Sequence, residues 1–313
     1  MACPATTSVR ASLCLIGIFS IIITSWAGLW DHQPPTVKIW IYPSGTIYQG
    51  ETAAIWLCAS EPLKVVAAFL QPDSIAFYAH GEDQCVHRAL VGIPPAAPSG
   101  PCTLHITASD SADNTSIAHV LLTVVRTDFP EEQLTFGPEK TKYLDPAPLA
   151  RDIAKISGAL THSDQTQMWQ FPFTIPTEGR VSSSYGAIRV YNNGLRQGQH
   201  RGVDLANAEG TPVHAPAAGL VVLSEELEVH GNTIIIDHGQ QVFSILAHLD
   251  ERIANVEQTV HEGEVVGTIG STGLATGPHL HWGLSVGNVR VQPLQWTDTT
   301  MSRGLQPPLP TGG

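Results

Sequence analysis

The chain has 313 residues, is 42% hydrophobic and carries a formal net charge of -12. That charge, with no Lys/Arg-rich run anywhere, removes the basic footprint that DNA or RNA binding requires. The length suits about two domains with sizeable cores.

Residues 1–30 read as an export signal. Arg10 precedes an apolar stretch from about Leu13 to Ile23, and Ser25-Trp26-Ala27 has the small-x-small form of a cleavage site. The signal is either cleaved after Ala27 or kept as an anchor, because the apolar stretch running to Trp30 reaches roughly the 18 residues of a spanning helix. Either outcome puts the rest of the chain in the periplasm or outside the cell, where disulfides are permitted. Of 5 cysteines, Cys58, Cys85 and Cys102 reach the exported part, and the expected pairing is Cys58 with Cys102. None lies beyond Cys102, which excludes a cysteine-type structural zinc site in the C-terminal half.

Residues 34–126 hold short β-rich runs (TVKIWIYP, TAAIWLCAS, CVHRALVGI, CTLHITAS, IAHVLLTVV) separated by Pro, Gly and Asp/Ser turns. This is the pattern of an antiparallel sandwich of immunoglobulin type. In CTLHITAS, Cys102, Leu104, Ile106 and Ala108 share one face, as in a half-buried strand. Residues 127–170 form a connector in which Leu149, Ile153, Ile156 and Leu160 fall at helical spacing, so one amphipathic helix packs on a neighbouring domain. Its position alone would let that helix, or the sandwich, restrain the C-terminal domain. From 171 to 297 the texture returns to Gly-bounded β runs, and 298–313 reads as a disordered tail.

Eight of the 14 histidines lie between His200 and His281. In GPHLHW, His279 and His281 are two residues apart and project to one face of a strand, with Leu280 turned the other way. Upstream, HRGVD carries His200 and Asp204. On a straight strand these would be about 13 Å apart, but Gly202 lets the chain bulge or bend so that they converge. Two imidazoles and a carboxylate leave a fourth position for water, the arrangement of a catalytic zinc. The other member of the pair, and His248 in LAHLD, are then available for proton transfer and oxyanion stabilisation. Spacing leaves open which of His279 and His281 binds metal.

These stretches, with GTPVHAP, GNTIIIDHG and GEVVGTIGSTGLATGPHLHWGL, resemble the lysostaphin-type (LytM-type) zinc endopeptidases of bacterial peptidoglycan, over residues 171–296. The resemblance implies a groove-bearing antiparallel β domain. It implies His200, Asp204 and His281 as zinc ligands and His279 and His248 as the catalytic pair; in the expected mechanism His279 is the general base and His248 supports the tetrahedral intermediate, a division that the residues leave open. SSSYGAIR is similar to the strand bordering the family's groove, which implies Tyr185 and Arg189 as substrate contacts. The implied partner is a stem or cross-link peptide of peptidoglycan, and the expected activity that of an exported DD-endopeptidase. Related scaffolds that lack the ligands activate other wall hydrolases; a non-catalytic wall-binding or activator protein is the alternative. A lipoyl- or biotinyl-type carrier, suggested by TPVHAPAAGLVV, needs a modifiable lysine, and none follows Lys155.

Overall fold

In a computed structural model describing residues 33–70, 73–82 and 84–306, the chain is mainly β with few helices. The export signal expected over residues 1–30 lies outside the described residues.

The front part consists of β1 (Val37–Tyr42), β2 (Thr46–Tyr48), β3 (Thr52–Ala59), β4 (Val65–Leu70), β5 (Asp73–Ala79), β6 (Val86–Gly92), β7 (Gly100–Ser109) and β8 (Thr115–Val125). They pair in the order β1-β3-β6-β5-β4-β7-β8-β2, with β2 parallel to β8. Strand alternation decides what lies inside: Ala118, Val120, Leu122 and Val124 are buried while Ile117, His119 and Leu121 between them are exposed. Leu104, Ile106 and Ala108 of β7 join the same core, and Cys102 packs against it. The Cys58–Cys102 bridge is a correction. Cys58 on β3 pairs in register with Lys38 and Val86, Cys102 on β7 stands opposite Leu122, three strands (β6, β5 and β4) separate β3 from β7 in the pairing order, and no disulfide joins them among the described residues.

The connector contains β9 (Glu131–Leu134), α1 (Pro138–Thr141) and α2 (Pro146–Ala159). Asp145 caps α2 by accepting from the Ala147 N–H at 2.9 Å, and Pro146 occupies its first turn, where no N–H is needed. The apolar stripe divides its work. Ile156 and Leu160 enter a core with Leu223, Leu227, Ile235, Phe243 and Ile245 and touch the edge of a groove that Leu149 and Ile153 also line.

The C-terminal part comprises β10 (Arg180–Ser183), β11 (Ile188–Tyr191), β12 (Arg196–Gln199), β13 (Val203–Ala206), β14 (Pro212–His214), β15 (Gly219–Leu227), β16 (Gly231–Asp237), β17 (Val242–Arg252), β18 (Thr259–Val260), β19 (Val265–Ile269), β20 (His279–Val286) and β21 (Val289–Val291). The main path runs β10-β13-β20-β17-β16-β15-β18. Leu205, Leu246, Leu280, Trp282 and Leu284 point to its buried side, leaving the alternate residues for the groove. Strand β9 of the connector pairs in parallel with β11, so the connector adds to the wall of this part.

The tail is more ordered than its composition suggests. A 3-10 turn over Pro293–Thr297 leads to α3 (Ser302–Leu305), and Met301 and Leu305 enter the C-terminal core. Trp56 Nε1 donates to the Gly304 carbonyl at 2.6 Å, and Trp296 Nε1 donates to Thr52 Oγ1 at 3.1 Å, tying the tail to the front sheet. Residues 307–313 lie outside the described residues.

Candidate metal centre

Three adjacent strands build the site. In register, Asp204 of β13 stands opposite His281 of β20, which stands opposite Ala247 of β17. His279 and His281 share the groove face because Leu280 between them is in the core, fully buried. His200 is not on the strand of Asp204: it follows β12, and the chain bends at Gly202 before β13 begins. A Cβ on Gly202 would lie 2.6 Å from the Trp282 carbonyl and 2.7 Å from His281 Nε2, so the bend requires a residue without a side chain.

The bend brings the ligand candidates together. His200 Nε2 lies 2.9 Å from Asp204 Oδ1 and 3.0 Å from His281 Nδ1, and His281 Nδ1 lies 2.9 Å from the same Asp204 oxygen. Among the described residues this is the one group of three such side chains able to share an ion. The triangle is slightly tighter than the edge of about 3.3 Å expected for a tetrahedral zinc with bonds near 2.0–2.1 Å.

Protonation suits the same use. His200 Nδ1 faces the Ser184 carbonyl at 2.8 Å, and a carbonyl can only accept, so Nδ1 carries the hydrogen and Nε2 turns its lone pair to Asp204 and His281. Burial pushes His281 down to about 3 despite the Asp204 carboxylate beside it. Burial would raise Asp204, but His200 and His281 outweigh it and hold the carboxyl well below the usual range. Neutral imidazoles and an ionised carboxylate are the donor states a divalent metal demands.

His248 and His279 flank this triangle, their rings 4.9 Å apart, with His248 6.0 Å from the His281 ring. His248 reaches the groove through a bulge: Ala247 and His248 together oppose Thr233, and His248 has φ 62, in the left-handed region. Its backbone N–H donates to the His230 carbonyl at 2.9 Å. Each of the two rings has Nδ1 against a carbonyl, Thr272 at 2.9 Å for His248 and Gly277 at 2.8 Å for His279, so both present a lone pair at Nε2. Burial, and then the neighbouring rings of His279 and His281, hold the His248 pKa well below its ordinary value.

The two expected substrate contacts part ways. Arg189 lines the groove, but its guanidinium is engaged: Nη2 donates to Asp204 Oδ2 and, at 2.7 Å, to Ser183 Oγ, and Nε lies 3.3 Å from Glu132 Oε2. Tyr185 requires a correction. It is 2% exposed, its ring is edge-on to Phe129, and its hydroxyl donates to the Arg290 carbonyl at 2.7 Å, which makes it a packing residue rather than part of the groove surface.

Sequence reasoning missed Glu132, Ser183 and Asp152. Ser183 donates to Glu132 at 2.7 Å and Arg189 bridges Glu132 and Asp204, so the connector strand β9 reaches the candidate ligand cluster. Asp152 of α2 receives the N–H groups of Glu228, Val229 and His230, bracing the turn that holds His248. The groove, about 660 Å³, is thus walled on one side by connector residues including Glu132, Phe136 and Ile153.

Residues 198–293 match the model described as Peptidase family M23. The DD-carboxypeptidase/endopeptidase Mpg of Neisseria meningitidis serogroup B is 39% identical over 115 residues, 37% of this chain and 26% of that protein. The murein hydrolase activator NlpD of Escherichia coli K12 is 34% identical over 122 residues, 39% of this chain and 30% of that protein. The chain therefore spans less than a third of the length of these curated relatives. A crystal structure from Pseudomonas aeruginosa, described as a candidate peptidase M23, is 27% identical with a TM-score of 0.58, covering 80% of this chain and 94% of that one.

Proposed function

Residues 198–293 are a peptidase family M23 domain, and from that premise we propose that the protein is an exported zinc endopeptidase hydrolysing stem or cross-link peptides of peptidoglycan. The observation that carries the reading is the set of mutual distances of 2.9–3.0 Å among His200 Nε2, Asp204 Oδ1 and His281 Nδ1. A zinc ion held there would supply Lewis acidity and an acidified water. The remaining chemistry falls to the chain. His279 Nε2 accepts the proton of the attacking water and returns it to the leaving amine. His248 differs from its expected part: with Nδ1–H given to Thr272, its neutral ring offers Nε2 as an acceptor, and its surroundings oppose a second proton. It is therefore suited to orienting the water rather than donating to an oxyanion. Arg189, itself bonded to Ser183, holds the second oxygen of Asp204 away from the cluster.

The alternative, an activator without catalysis, has a named relative in its favour, but the intact donor set and the two flanking imidazoles favour hydrolysis. The front strands, with β1-β3-β6-β5 and β4-β7-β8 following the A-B-E-D and C-F-G pairing of immunoglobulin modules, support reading residues 34–126 as such a module. Export rests on the N-terminal sequence alone, and places the enzyme in the cell envelope.

The test is a set of three variants. His279→Ala and His248→Ala proteins retain one zinc per chain and lose peptidoglycan lysis, while Asp204→Ala loses the metal. Lysis retained by the first two would refute the assignment.

A further inference from the structure

Along the groove from the metal centre, Arg290 stands opposite Ser285 in the β20–β21 pair, on the face shared by His279, His281, Gly283 and Ser285. Gly283 contributes no side chain, so nothing on that strand stands between His281 and the arginine. Arg201, directly after His200, is exposed, lines the same groove and is close enough for its charge to act on Arg290.

Among the described residues neither arginine is in an ion pair, whereas the other arginine of the groove, Arg189, meets Asp204 and Glu132. Arg290 Nη1 is buried without a hydrogen-bond partner. Burial, and then the like charge of Arg201, push the Arg290 guanidinium down to about 10. A buried guanidinium nitrogen left unpaired, with a second positive charge beside it, is costly unless an anion completes the arrangement.

We propose that Arg201 and Arg290 form a carboxylate-binding subsite that seats a free carboxylate of the peptide substrate. Guanidinium forks match carboxylates in shape and charge. The separation of His281 from Ser285 along β20, about 13 Å at strand rise, puts this carboxylate several bonds from the scissile amide. The proposal rests on the peptidoglycan reading above and adds to it a criterion of substrate choice: stem peptides with that carboxylate free are preferred over amidated ones.

The test measures binding of an N-acetylated stem tetrapeptide to the zinc-loaded full chain by calorimetry, with the peptide's carboxylates free or amidated one at a time. Hydrolysis of the corresponding cross-linked dimers is followed alongside. One amidation lowers wild-type affinity about tenfold or more, the size expected for a charge-assisted pair, and raises KM with little change in kcat. Arg201→Gln and Arg290→Gln abolish the difference between acid and amide, and Arg290→Lys restores part of it. Arg201 is exposed, so its variant reads the subsite without a burden on folding. Equal wild-type affinity for all forms overturns the subsite. Should no dimer be cut while the preference for the free acid persists, the hydrolase reading fails and the subsite stands.

Discussion

Asp152 and His230 are joined twice: Asp152 Oδ2 accepts from the His230 backbone N–H at 3.0 Å and lies 2.8 Å from His230 Nδ1. The carboxylate is 2% exposed and also receives the N–H groups of Glu228 and Val229. Burial would raise its pKa, but hydrogen bonds and charge from His230 outweigh that and lower it. Since the His230 carbonyl accepts the His248 N–H, the helix of the connector holds a residue of the candidate site through one turn of chain. Asp152→Ala strips several buried donors of their acceptor, and a loss of about 2–4 kcal/mol is expected in urea unfolding. Lysis should fall as well, while Asp152→Asn loses less of both. An unchanged unfolding midpoint would show that the turn stands without the helix.

The same helix bears on what the C-terminal part can do alone. Ile156 and Leu160 complete a core with Leu223, Phe243 and Ile245, and each stabilises by about 1.5–3 kcal/mol on burial. A fragment of residues 171–313 lacks them and the β9 strand. It is expected to melt below the full chain, to bind a hydrophobic dye and to hydrolyse peptide no faster. A fragment of equal stability with a higher rate would instead mean that the connector restrains the groove.

Gly202 makes the ligand geometry possible. The Cβ of Gly202→Ala would press on the Trp282 carbonyl and the His281 ring, costing about 1–3 kcal/mol as overpacking does. Because the displaced ring is a ligand candidate, zinc affinity should drop at least tenfold in competition with a chelating dye. Full affinity in this variant would remove Gly202 from the architecture of the site.

His238 gives the fold a pH dependence separate from the reaction. It is fully buried between the Ala218 carbonyl and Ser244, and burial lowers its pKa from 6.5 to about 4. A lowered histidine pKa means that the unfolded chain takes up the proton first. The stabilisation is full above pH 6.5, declines as pH falls from 6.5 to about 4, and amounts to about 3 kcal/mol at most. Unfolding free energies measured at pH 7.5 and 4.5 should therefore differ more for the wild type than for His238→Gln. Equal differences would mean that this ring does not set the slope.

Legibility in the sequence followed the range of the interactions. Strand alternation places His279 and His281 on one face and Leu280 in the core, and a glycine between His200 and Asp204 marks a bend; both are properties of a few neighbouring residues. What resisted reading depends on contacts across long separations. Glu132 meets Arg189 only because β9 pairs in parallel with β11, and Asp152 meets His230 only once α2 has docked. Tyr185 illustrates the limit from the other side. Its stretch lies beside the cluster through Ser183 and Arg189, yet the ring turns inward to Phe129. The bulge that aims His248 has no local signature, since a histidine at φ 62 is held by its neighbours rather than by its own preference. The tail reads as disordered from its composition, but Met301 and Leu305 find a core already formed by the rest of the chain.

Metal content and wall digestion, read on one purified sample of the protein before and after chelation, bear most directly on the His200, Asp204 and His281 cluster. One zinc per chain, digestion lost on stripping and digestion restored by added zinc are the results expected. A protein that binds no metal, or that cuts peptidoglycan equally well without it, would contradict the assignment of these residues.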